Sequence, residues 1–249
     1  MPATLESNLR ATLDAIEAAA RRAGRPGSVE LLAVTKSVGP RTAAELVRLG
    51  QRDLGENRLA SLDAKREELA RAGLEATWHF IGPIQRNKAR KVVQSSEVLH
   101  AVDSLRLVDT LERVAAEEGR RVRVYLEVKL SPEESKHGLE PAELREAVRR
   151  AGAAEPLTLL GLMTMAPLPP EGDEGRAARE VFERLAELAR GLEAEPEHAA
   201  CFEGGRVRLS MGMSGDFEAA IAAGSDVVRI GGALFQGVAT DAPHSGVAP

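Results

Sequence analysis

Lys36 ends the apolar run LLAVTK, and Gly39-Pro40 breaks the chain just beyond it. An ammonium at the mouth of a buried strand has two readings. It is a solvated strand-end lysine, or it is an amine held in a pocket to meet a carbonyl as a Schiff base. A second group of candidates lies near the other end of the chain. Ser210 and Ser214 stand in SMGMSGD, and Arg229 precedes Gly231-Gly232 in RIGGALF. Glycines let the backbone approach an anion, and the unpaired N–H groups at a helix start point toward it. The serine hydroxyls add donors, and Asp216 suits the N-cap of the helix that follows. Each residue also has a plainer reading. Gly231-Gly232 is equally a tight strand-to-helix turn, Ser214 a second cap and Arg229 an ion pair at a rim. Together they suit a phosphorylated aldehyde, provided that the fold brings Lys36 beside them.

The order of elements supplies that condition. Short apolar runs occur at 29–35, 52–55, 77–81, 97–102, 122–129, 157–163, 207–211 and 226–230. Helix-like segments separate them at 41–50, 58–72, 85–95, 104–119, 141–152, 175–191 and 216–223, and a short last helix begins near Gly232. An extra amphipathic helix over 4–24 precedes them, with Leu5, Leu9, Leu13, Ile16 and Ala20 at helical spacing. Alternating strands and helices predict a parallel sheet. Eight such units in a chain of 249 residues match a closed (β/α)8 TIM barrel. An open doubly wound sheet is the competing arrangement. The expected domain covers 1–237, with a loose tail over 238–249 and a mobile rim loop over 165–175.

Barrel chemistry lies where the strands end, and phosphate often binds after strands seven and eight. Strand one neighbours strand eight in a closed barrel, so Lys36 lies within a small molecule's width of that phosphate. Pyridoxal 5′-phosphate is the obvious candidate. Its aldehyde meets Lys36, its phosphate meets the Ser210/Ser214 and Gly231/Gly232 region, and its ring nitrogen faces Arg229. An always-charged guanidinium there disfavours protonation of the ring nitrogen and weakens the ring as an electron sink.

Composition excludes several other classes. The chain carries 38 acidic and 33 basic residues, so no basic field advertises nucleic acid. Its single cysteine, Cys201, excludes an internal disulfide and a multi-cysteine metal site. His79, His100, His137, His198 and His244 show no ligand-like spacing, so no metal is expected. The start of the sequence lacks the pattern of a signal peptide. No apolar run reaches membrane-spanning length. A cytoplasmic protein is the default expectation.

The segments LLAVTKSVGP, DLGEN, WHFIGPIQRNK, ESKHGL, GLMTMAP and LSMGMSGDFEAAIAAGSDVVRIGGALFQG together resemble the pyridoxal-phosphate homeostasis protein family. That resemblance runs from about residue 30 to residue 237. It implies a single barrel similar to the N-terminal domain of alanine racemase. It implies a Schiff base on Lys36, Arg229 at the pyridine nitrogen, and Ser210, Ser214, Gly231 and Gly232 as the phosphate cradle. It implies Asn57 and Met163 as pocket-lining residues. His79 is either a core histidine or a pocket residue. Lys136 is either a second amine or a solvated loop lysine. Two departures stand out. GEN is followed by Arg58, Leu59 and Ala60 where the family has an aromatic and polar positions. Gly232 stands where many relatives have threonine, so a hydroxyl contact to phosphate is lost.

Alanine racemase needs a second base, a tyrosine brought by another domain and subunit. Tyr125 is the only tyrosine in this chain, and it falls inside strand five. One face of the cofactor would stay open, which is poor for a reactive carbanion and reasonable for a carrier. The expectation is a monomeric, non-enzymatic protein that buffers pyridoxal phosphate and delivers it to apo-enzymes. The alternatives are a weak racemase, or a Schiff-base enzyme of aldolase type with Glu127 or Lys129 as proton relay.

Overall fold

The computed structural model describes residues 3–131, 137–167 and 175–243. Eight strands close into a barrel in sequence order. They are β1 (Glu30–Val34), β2 (Asp53–Glu56), β3 (Thr77–Phe80), β4 (Val98–Val102), β5 (Val122–Glu127), β6 (Leu157–Met163), β7 (Arg208–Ser210) and β8 (Val227–Ile230). All pair in parallel, and Leu32 of β1 lies opposite Arg229 of β8. The eight predicted strands and the barrel closure are all present, so the open sheet is excluded.

The helices are α1 (Leu5–Arg22), α2 (Pro40–Arg48), α3 (Leu59–Arg71), α4 (Ala89–Ser95), α5 (Leu105–Glu117), α6 (Leu144–Ala153), α7 (Arg176–Glu193), α8 (Pro196–Ala199), α9 (Phe217–Ala222) and α10 (Gly232–Phe235). The expected helix at 85–95 splits into a 3-10 turn over 86–88 and then α4. The four-residue α8 has no periodic signature and was not expected from the sequence. None of the described helices is long and apolar enough to cross a membrane.

Burial on both faces explains why the strands read as unbroken apolar runs. One core lies between barrel and helices; α7, for example, turns Val181, Phe182, Leu185 and Ala189 inward. A smaller core fills the bore with Leu32, Val98, Ala101, Tyr125, Leu160, Met163 and Val227. Gly161 lets β6 and β7 approach, since a Cβ there would stand 1.8 Å from the Arg208 carbonyl oxygen. α1 opens with a reciprocal capping box between Thr4 and Ser7. Its Asn8 donates to the carbonyls of Leu234 and Gln236 at 3.1 and 3.0 Å, which ties α1 to α10. Leu13, expected on the buried face of α1, is exposed, and Thr12 is buried instead.

The chain just after residue 237 is anchored. The Asp241 carboxylate accepts from the Arg41 and Thr42 N–H groups at 2.9 and 3.0 Å, and the Asp241 carbonyl accepts from Gly39 N–H at 2.8 Å. This aspartate supplies the cap that Gly39 cannot give α2. The remainder of the expected tail, 244–249, and most of the expected rim loop, 168–174, lie outside the described residues.

Candidate functional site

Lys36 occupies the turn after β1 and is exposed. Its ammonium has no hydrogen bond or ion pair among the described residues. The residue before it is rigidly held. Thr35 is fully buried, donates its N–H to the Gly55 carbonyl at 3.0 Å and its hydroxyl to Glu56 Oε1 at 2.6 Å. The Thr35 carbonyl accepts from Lys65 Nζ at 2.9 Å. Lys65 also donates to Glu56 at 2.5 Å and to Ser61 at 2.9 Å, and both charged side chains are wholly buried. Burial pulls the Lys65 ammonium below its usual range, and Glu56 opposes that pull. The free amine of Lys36 thus extends from a turn whose root is clamped by a buried ion pair.

β8 delivers the second part. A Cβ on Gly231 would lie 2.9 Å from the Val34 carbonyl oxygen, so only glycine allows this turn to rest on the end of β1. A Cβ on Gly232 would lie 3.8 Å from Ser214 Oγ, in ordinary contact. The loops after β7 and β8 therefore meet, with the exposed Ser214 hydroxyl facing the start of α10. Asp216 stands at the N-cap position of α9 but does not cap it with its side chain. Its carboxylate turns back to accept from Met213 N–H at 2.5 Å, which shapes the Ser214 turn instead.

Arg229 points into the bore and is buried. Nη1 donates to the Ser210 carbonyl and hydroxyl at 2.7 and 2.9 Å, and Nη2 donates to the Thr164 carbonyl at 3.0 Å. The rim ion pair is therefore not its role, because its partners are carbonyls and a hydroxyl. Three of the five guanidinium N–H groups are engaged; one on Nη2 and that of Nε have no partner among the described residues. Burial lowers its pKa to about 10, with Glu127 opposing, so the group stays charged at neutral pH.

Ser210 corrects the sequence reading. Its hydroxyl is fully buried between Arg229 and His100, so it supports the arginine and is not aimed at the phosphate turn. Met163 closes β6 and packs in the bore core, beneath the mouth. Asn57 follows β2, half-buried, and its backbone is so near Gly82 that a Cβ there would stand 2.5 Å from the Asn57 carbonyl oxygen. Lys136 lies outside the described residues. His79 points inward and is a buried network residue, bonded to Asp53 and His100. His100 was missed by the sequence reading, although a histidine inside the apolar run VLHAV is a detectable signal.

Of the candidates for alternative chemistry, Tyr125 is enclosed, Lys129 is paired and Glu127 is buried at the end of β5. Tyr125 is 1% exposed and stacks on His100 at 4.6 Å; burial pushes its hydroxyl far above the usual range. Lys129 lies 3.6 Å from Glu140. Glu127 ends β5, 5% exposed, and burial raises its pKa to about 7, with Asp103 adding and Arg229 subtracting. Away from the mouth, Glu195, Glu197 and His198 bring three donor atoms within 4.8 Å, but Glu195 is already paired with Arg145 at 2.5 Å.

A family profile described as the alanine racemase N-terminal domain matches residues 7–238. The pyridoxal phosphate homeostasis protein of Escherichia coli strain K12 is 40% identical over 232 residues, covering 92% of this chain and 94% of that protein. The chain belongs to the pyridoxal phosphate homeostasis protein family. The relative of the same name from Pseudomonas aeruginosa is 38% identical over 244 residues, with 97% and 99% coverage. A solved family structure, PipY of Synechococcus elongatus PCC7942 with pyridoxal phosphate bound, superposes with a TM-score of 0.78 at 34% identity, covering 93% of this chain and all of PipY. The barrel and the alanine-racemase likeness implied by the resemblance, and the N-terminal helix expected from apolar spacing, are thus established for this chain.

Proposed function

We propose that this chain binds pyridoxal 5′-phosphate, retains it as a Schiff base on Lys36 and releases it to apo-enzymes. It buffers the cofactor pool inside the cell and does little or no catalysis. The observation that carries this reading is the grouping at the mouth of β1, β7 and β8. An unpaired amine just after β1, a buried arginine with donors to spare on β8, and a hydroxyl facing an open glycine in the loop after β7 come from neighbouring strands. These residues fit the cofactor. The space that a Cβ at Gly232 would fill is left beside Ser214. Bound there, the cofactor supplies an aldehyde that an amine captures reversibly with loss of water.

The chain's own residues do the rest. Ser214 and the Gly231/Gly232 backbone hold the phosphate, and Arg229 donates to the ring nitrogen. Asn57 flanks the ring and Met163 lies beneath it. Lys36 is exposed, so it and the site are reached from solvent, as a donor of cofactor requires. A second base is needed for racemisation, and Tyr125 is walled inside the bore. The site is made by one chain, which suits a monomer. Reading Lys36 as an aldolase amine would leave the proton relay to Glu127, because Lys129 is held by Glu140.

The test is the visible spectrum of the purified full chain, followed by borohydride reduction and mass spectrometry. The expected result is a yellow protein with reduced pyridoxal phosphate on Lys36. A protein that stays colourless and unlabelled with added pyridoxal phosphate refutes the reading.

A further inference from the structure

A line of hydrogen bonds crosses the bore of the barrel. It starts at Asp53, the first residue of β2, whose side chain is 49% exposed. Asp53 Oδ1 lies 3.2 Å from His79 Nε2, and His79 Nδ1 lies 2.9 Å from His100 Nε2. His100 Nδ1 lies 2.9 Å from Ser210 Oγ, which accepts from Arg229 Nη1 at 2.9 Å. The line steps along β2, β3 and β4, then crosses to β7 and β8. His100 and Ser210 are wholly buried.

Its ends fix its direction. Arginine only donates, and a carboxylate only accepts. The Asp53 carboxyl is held below its usual range, chiefly by the bond from His79. With one N–H on each ring, counting from Asp53 leaves His100 Nδ1 as an acceptor, and the Ser210 hydroxyl donates to it. Burial holds His100 well below its usual pKa, with the Arg229 charge adding to the effect, so its ring is neutral. Its proton then sits on Nε2 and is donated to His79 Nδ1, which leaves His79 Nε2–H for Asp53. With one N–H on each ring, this proton arrangement satisfies every atom along the line. With its own proton committed, Ser210 presents only a lone pair to Arg229. Buried bonds that run the same way reinforce one another.

The geometry points to Ser210, His100 and His79 as positioning residues that set the Arg229 guanidinium, so that its remaining N–H groups face the cofactor's ring nitrogen. This rests on the proposed pyridoxal phosphate site. The plainer possibility is a polar core network that only stabilises the barrel, and a double-mutant cycle separates the two.

Pyridoxal phosphate is titrated into the full apo chain, and affinity and the position of the visible band are recorded. Ser210→Ala and His100→Leu are expected to weaken binding about five- to tenfold and to shift the band in the direction that Arg229→Gln shifts it. In an Arg229→Gln background the same changes are expected to alter binding less than about twofold. Asp53→Asn, at the half-exposed end, serves as the variant that folds if His100→Leu does not, with the same loss of effect in the Arg229→Gln background. Equal effects in both backgrounds, or a lower Tm with unchanged affinity and band, overturn the inference. Nitrogen-detected NMR of the apo chain checks the line without cofactor. His100 protonated on Nε2 is expected, and protonation on Nδ1 overturns the assigned direction. A wild-type chain that takes up no pyridoxal phosphate, with that NMR pattern intact, refutes the proposed function and this inference with it; uptake with additive mutants refutes this inference alone.

Discussion

Glu127→Gln changes one buried side-chain atom at the mouth, and its consequence can be worked out from the structure. The carboxyl titrates near 4.5 when solvated and near 7 in the folded chain, because burial and Asp103 penalise its charge. A raised folded pKa gives stability that is full below pH 4.5 and lost as the pH rises through 7. The folded state binds the proton more tightly, so its advantage fades as the proton leaves. For these two values the loss is about 1 kcal/mol by pH 5 and about 3 kcal/mol by pH 8.5. Glutamine has no such dependence. The stability of Glu127→Gln relative to wild type should therefore rise by about 2–3 kcal/mol between pH 5 and pH 8.5. Urea unfolding of both proteins at the two pH values measures it, and other titrating groups cancel in the difference. In heat, the same gap should widen by roughly 5–10 °C. A gap that stays constant within about 0.5 kcal/mol would refute the idea that Glu127 is a penalised buried acid. A gap that widens toward acid would show that Arg229 outweighs desolvation.

Gly232→Thr should tighten pyridoxal phosphate about threefold, since the new side chain meets Ser214 without a clash and adds a hydroxyl worth roughly 0.5–1 kcal/mol; weaker binding in a titration would place the phosphate elsewhere. Lys65→Met should lower stability by about 3–5 kcal/mol by stranding the buried Glu56 charge. Pairing it with Glu56→Leu should recover most of that in denaturant unfolding. Asp241→Ala should cost about 1 kcal/mol through the lost cap on α2, and an unchanged midpoint would mean that the segment is not docked in solution. Lys36→Ala should lose the borohydride label while its unfolding midpoint stays within about 1 °C, because the side chain is exposed.

The alternation of apolar runs with amphipathic segments made the barrel legible, because a parallel sheet buried on both faces leaves runs such as VELLAVT unmistakable. Lys36, Ser214 and the glycine pair stand out as candidates because they follow those runs, and Arg229 because it interrupts one. The direction of side chains inside the runs was not. Alternation requires an unbroken strand, and the β4–β5 pairing slips register between Leu99 and Val102. Val98 and Ala101, three apart, both reach the bore core, where strict alternation would send one of them outward. His100 sits inside that irregularity, so nothing in VLHAV says that its ring crosses the bore to Ser210. The error over Ser210 has the same origin. A serine two residues before a glycine turn reads as a phosphate donor until the histidine opposite claims its proton. Residues that touch a ligand from a loop announce themselves by composition. Residues that hold those in place from across the bore are set by register, which appears only once the strands are paired.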